Sequence, residues 1–220
     1  MLLEIACFNL QSCLIAQKAG ANRIELCENY SVGGITPSEK LIADARQQLQ
    51  IDLFVMIRPR ESNFVYSEFE LKEMKKQIEF CKKINCNGVV LGILTNEGTI
   101  DTVRCKEFVE FAKPMHCTFH RAFDEIENTE QALMDIIDCG FSRVLTSGKQ
   151  KTALQGATVI SKLIQKANGK IIIMPGGGVR SLNISTLLQA TNAKEVHSAA
   201  ILDSNETADE IEIKKLITSA

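Results

Sequence analysis

Residues 115–124 read MHCTFHRAFD, a short β-prone run that stops at His120, Arg121 and Asp124. An imidazole can carry a proton near neutral pH. A guanidinium can fork onto a carboxylate or phosphate. A carboxylate nearby can orient the imidazole, pair with the arginine or cap the next element. The same event recurs along the chain. RIELC ends at Glu25 and Cys27, FVMIRPR at Arg58 and Arg60, RVLTSG at Thr146, Ser147 and Gly148, and KEVHS at His197. MPGGG sets Gly176, Gly177 and Gly178 before a helix, where backbone N–H groups can cradle an anion. Glu4 and Glu25 face inward from adjacent strands in this reading, two carboxylates able to hold one proton between them. The candidate acid–base set is therefore Glu4, Glu25, His120, Asp124 and His197. The candidate anion set is Arg58, Arg60, Arg121, Ser147, Gly148, Gly176, Gly177 and Gly178. A structural ion pair between Arg58 and Glu25 is the plainer alternative for those two.

The elements that must position these groups alternate. Strands are expected at Leu2–Cys7, Arg23–Cys27, Leu53–Arg58, Gly88–Leu94, His116–His120, Arg143–Thr146, Ile171–Met174 and Glu195–Ser198. Helices are expected at Leu10–Ala19, Ser38–Leu49, Ser67–Ile84, Thr102–Ala112, Thr129–Cys139, Ala153–Ala167, Leu182–Ala190 and Ala208–Ile217. In the third helix Leu71, Met74, Ile78 and Cys81 recur at helical spacing. Gly20 and Gly140 stand where helices should stop, Pro37 precedes a helix start at Ser38, and Asn128 or Thr129 can cap the fifth helix. Eight β–α units imply a parallel sheet. An open doubly wound sheet is one outcome. The other is a compact TIM-type (β/α)8 barrel over residues 1–220 as a single domain, in which polar groups at the carboxyl ends of strands meet on one rim.

Bulk properties narrow the function. The 220 residues are 45% apolar, with a net charge of −2 and no basic stripe, so nucleic acid is not an expected partner. No apolar run approaches the roughly 20 residues that a membrane span requires. MLLEIACFNL carries Glu4 and no basic leader, unlike a signal peptide. Eight scattered cysteines without a CxxC pair point to a reduced, cytoplasmic chain rather than a disulfide framework.

LEIAC, GANRIELC, SVGGITPS, MIRPR with FVYS, TFHRAFD, RVLTSG, PGGGV with Asn183, and EVHSA occur in that order across nearly the whole chain. Together they resemble the CutC family of copper homeostasis proteins. The resemblance implies a single-domain TIM-type barrel, a cytoplasmic homo-oligomer and a role in copper handling. It also implies Cu(I) on two cysteines matching Cys7 and Cys27, a soft ion on soft thiolates. Strand alternation resists this pair. Glu25 and Cys27 share a face, whereas Glu4 and Cys7, three apart, fall on opposite faces unless a bulge or an early strand end intervenes at Ala6. Two departures stand out: Glu61-Ser62-Asn63 replaces a glycine-rich stretch ending in Asp, and Leu202 to Ala208 is short where many relatives carry an insertion. A zinc site of His116, His120 and His197 fails on distance, because four strand residues span about 13 Å.

Two functions follow. One is Cu(I) handling through Cys7 and Cys27, with no other cofactor. The other is a barrel enzyme doing acid–base chemistry on a small phosphorylated or carboxylated metabolite. A third, a non-catalytic oligomeric scaffold, ranks last.

Overall fold

The computed structural model describes residues 1–202 and 206–220. The elements alternate strictly: β1 (Leu2–Cys7), α1 (Leu10–Ala19), β2 (Arg23–Leu26), α2 (Glu39–Gln48), β3 (Asp52–Met56), α3 (Glu68–Lys83), β4 (Gly88–Leu91), α4 (Thr102–Ala112), β5 (His116–Phe119), α5 (Thr129–Cys139), β6 (Arg143–Thr146), α6 (Ala157–Ala167), β7 (Ile172–Pro175), α7 (Ile184–Thr191), β8 (Glu195–Ser198) and α8 (Glu210–Thr218). The strands pair in parallel in consecutive order, and β1 lies between β2 and β8. β7 packs beside β8, so the sheet is a nearly closed TIM-type barrel. A doubly wound sheet would reverse its strand order part-way, which this one does not.

Local chemistry ends the helices where expected. Gly20 and Gly140 take left-handed conformations after α1 and α5, which glycine adopts without a Cβ penalty. Asn128 caps α5 through Gln131 N–H, and Ser67 with Glu70 forms a full capping box on α3. Four strands end earlier than expected: β2 at Leu26, β3 at Met56, β4 at Leu91 and β5 at Phe119. Beyond those points the chain leaves the ladder to build the rim. The expected short connection from Leu202 to Ala208 lies partly outside the described residues.

Alternation divides the side chains into two layers. Leu3, Ile5 and Cys7 point outward and join Cys13 and Ala16 in the main apolar core between strands and helices. The inward set is partly charged. Arg23 donates from Nε to Glu4 at 2.5 Å and from Nη2 to Glu195, which also accepts from Arg143 at 3.1 Å. Phe54 lies between the two guanidiniums, with Arg23 4.8 Å and Arg143 5.1 Å from its ring centre. Two positive and two negative groups thus cancel in the barrel interior. Space there is tight: a Cβ on Gly88 would stand 2.5 Å from the Phe54 ring.

Candidate functional site

A cavity of about 500 Å³ opens at the carboxyl ends of the strands. Glu25, Arg58, His120 and His197, from four different strand ends, all line it, with Arg121, Asp124, Gly177 and Gly178. Phe8, Tyr30 and Phe64 supply its apolar wall.

Strand register builds the first cluster. Glu4 pairs with Arg23 on one side and with His197 on the other. His197 Nδ1–H donates to Glu4 Oε1 at 2.7 Å, which aims Nε2 at Glu25 Oε2, 3.8 Å away. Glu4 is fully buried, and burial alone would raise its pKa. The charges of Arg23 and His197 outweigh that and hold it at about 2. Glu25 lacks such a partner. Burial lifts it to about 7, with the Glu4 charge adding and His197 opposing. His197 itself is raised, because the two carboxylates outweigh burial. Two carboxylates one layer apart are thus split: one permanently ionised, one poised near neutrality. They titrate with His197 as a coupled set. Glu25 Oε2 accepts the Cys27 thiol at 3.5 Å, while Oε1 is buried without a partner.

His120 does not behave as expected. Its Nδ1 accepts the Ala122 N–H at 3.2 Å, which leaves the proton on Nε2, a buried atom with no partner. Phe64 packs against the ring at 4.7 Å with the planes tilted by 52°, and Gly92 clears space for it, since a Cβ there would come within 2.7 Å. Burial, with Arg58 nearby, lowers its pKa to about 3. His120 is therefore a neutral N–H donor at physiological pH, not a proton carrier.

Asp124 does not touch His120 either. It accepts Thr146 Oγ1 at 2.5 Å, Ser147 N at 3.1 Å and Lys149 N at 3.2 Å, and pairs with Arg121 at 2.8 Å. It folds the loop after β6 and fixes Arg121, whose Nη2 also reaches Ser147. Ser147 and Gly148 stand behind the cavity wall. Gly148 packs too closely on Gly156 to carry a Cβ. Arg60 is displaced from the rim to α3, where it bonds Glu70 at 2.6 Å and lies over Tyr66.

Arg58 does not pair with Glu25. Its guanidinium donates to the carbonyls of Val32, Gly34 and Ser62 at 2.9–3.1 Å. The loops around Arg58 are satisfied, but its charge faces the cavity with no carboxylate partner among the described residues. Arg180 repeats this arrangement, bonding the carbonyls of Val179 and Ile201 and the Ser198 hydroxyl. Gly177 lies against Ser147 and Arg121 with φ of +102°, a conformation that favours glycine. Gly176 sits where a Cβ would strike Leu145 at 2.4 Å.

Cys7 and Cys27 lie on different sides of the barrel wall. Cys7 belongs to the outer core with Cys13, and Cys27 belongs to the inner cluster with Phe54, Met56 and Val90. No bulge at Ala6 brings them to one face. Burial raises both thiols well above their ordinary range. Among the described residues, Glu4, Glu25 and His197 form the one group of three whose ligand atoms all lie within 4.8 Å of one another. His116, at the start of β5, bonds Ser142 at the other end of the barrel and takes no part.

A family model described as the CutC family matches residues 1–202. The chain belongs to the CutC family. It is 44% identical over 199 residues to a CutC family protein of Chromobacterium violaceum, covering 90% of this chain and 81% of the relative. It is 41% identical to the human copper homeostasis protein cutC homolog, covering 90% and 73%. A crystal structure of a copper homeostasis protein CutC from Streptococcus agalactiae superposes with a TM-score of 0.86 at 35% identity, covering 90% of this chain and 98% of that one. Barrels of other kinds, such as a phosphoribosylanthranilate isomerase at TM-score 0.67 and 15% identity, share the fold alone.

Sequence reading missed three parts of this CutC-family site. Arg180 follows PGGGV directly and was legible as its continuation. Arg23 and Glu195 sit two residues before Glu25 and His197, so the inward period of two already pointed to them. Tyr30 and Phe64 come from loops, where no periodicity could place them.

Proposed function

We propose that the cavity is the active site of an enzyme that binds a small anionic metabolite and acts on it by proton transfer. One observation carries the reading: among the described residues Arg58 and Arg180 pair with no carboxylate, beside a Glu25–His197 pair poised to exchange a proton. Arginine forks suit phosphate or carboxylate, and Gly177 and Gly178 give the backbone close approach. The loop position after β7 is where barrels commonly hold phosphate.

Copper handling belongs to the family, and Cu(I) bound by Cys7 and Cys27 is its specific form here. The geometry gives it little support. The barrel wall stands between the two side chains, and neither sulfur is a thiolate in the ion-free chain. Glu4, Glu25 and His197 form a harder donor set than Cu(I) prefers, and Glu4 is already committed to Arg23 and His197. Buried, unpaired thiols fit a reducing compartment such as the cytoplasm.

Calorimetric titration with inorganic phosphate tests the anion site. The wild-type chain is expected to bind, and Arg180→Met or Arg58→Met to weaken binding at least about tenfold, as loss of a charged hydrogen bond would. Absence of binding to the wild type would end this reading.

A further inference from the structure

We infer that this site abstracts a proton from carbon next to a carbonyl, on a short hydroxy-carbonyl compound carrying a phosphate, and interconverts its aldehyde and ketone forms through an enediolate. This rests on the anion-binding, acid–base reading above and names its substrate class and reaction.

Three buried polar atoms on cavity-lining residues have no partner, Arg58 Nε, His120 Nε2 and Glu25 Oε1, and the last two are of opposite kind. His120 Nε2 carries a proton and seeks an acceptor, while Glu25 Oε1 is a free acceptor. Unsatisfied buried groups are costly and uncommon, so a pair of them in one cavity calls for a ligand that satisfies both. A carbonyl oxygen fits the first and an acidic C–H or O–H fits the second. His120 is locked by Phe64 and Gly92 and stays neutral, so it can donate to a developing oxyanion without surrendering its proton to solvent. His197 is held by Glu4 with Nε2 toward Glu25, which suits a carrier that moves a hydroxyl proton between neighbouring oxygens.

Other chemistries fit less well. No lysine lines the cavity among the described residues, so a Schiff base has no amine. Ser198, the lining serine, is spent on the Val179 carbonyl at 2.8 Å and has no base behind it. Cys27 is held by Glu25 as a thiol.

The step balances within the substrate. Glu25 takes the proton on C2 of an aldose, and the C–H electron pair becomes the C1–C2 double bond. The carbonyl π pair moves onto O1, which accepts the His120 N–H. His197 relays the O2 proton to O1, Glu25 returns its proton to C1, and the O2 lone pair re-forms a carbonyl at C2. C1 is reduced and C2 oxidised, with no outside co-reactant.

Phosphoglycolohydroxamate, a planar phosphate-bearing mimic of the enediolate, tests this against inorganic phosphate. The hydroxamate should bind the wild-type chain at least about a hundredfold more tightly than phosphate, as transition-state mimics do. His120→Phe and Glu25→Gln should each lower the ratio of hydroxamate to phosphate affinity at least about tenfold. Glu25→Gln removes the cost of a buried charge, so it provides a folded variant even where His120→Phe does not. If phosphate binds and the hydroxamate binds no better, the enediolate assignment falls and the anion site stands. If neither binds, both fall. Equal affinity of wild type and both variants for the hydroxamate would also overturn the assignment.

Discussion

Glu25→Gln is expected to stabilise the barrel by about 3 kcal/mol near pH 8, and by less than about 1 kcal/mol near pH 5. Glu25 titrates at about 7 in the folded chain against an ordinary value of 4.5. Between those values the native state holds a proton that the unfolded chain has released. Stability from the protonated carboxyl is thus fully present below 4.5 and is lost as pH rises through about 7. Glutamine keeps the shape and never ionises, so the variant lacks this slope. Urea unfolding of both proteins at the two pH values measures it. A gain independent of pH would show that Glu25 is not held near neutrality. A site that keeps a carboxylate at such a cost is trading stability for a base of useful strength.

Glu4→Gln should do the opposite, costing about 3 to 5 kcal/mol near pH 7, the usual loss when one member of a buried ion pair is removed. Glu4 is held at about 2 by Arg23 and His197 despite its burial. Its contribution is present above 4.5 and is lost as pH falls through about 2, so the gap between variant and wild type narrows in acid. The variant also removes the acceptor of the His197 Nδ1–H, so the imidazole midpoint should fall along with stability. Denaturant titration and imidazole NMR read the two effects together. An unchanged His197 midpoint would show that Glu4 does not govern that ring.

The barrel was legible because its signals are periodic. Arg23-Glu25-Cys27 and Glu195-His197 alternate in step with the inward face, and the same rule that placed Glu25 in the cavity placed Cys7 outside it. Glu25, Arg58, His120 and His197 meet at one cavity as expected. What the sequence could not specify was partner choice among neighbours of similar chemistry. Asp124 lies four residues from His120 yet serves Thr146 and Ser147, because the turn at Arg121–Glu125 carries it toward β6. His120 reads as a proton carrier by type, and only its contacts with Ala122, Phe64 and Gly92 make it a neutral donor. Arg60 is two residues from Arg58 but leaves the rim, since the chain past β3 bends toward Glu70 at the start of α3.

The most direct test is a crystal of the wild-type chain soaked in inorganic phosphate. The account predicts an anion in the cavity, bonded by Arg58 or Arg180 and seated against Gly177 and Gly178, within reach of His120 and His197. Phosphate bound elsewhere on the surface, with that cavity holding only water, would contradict it.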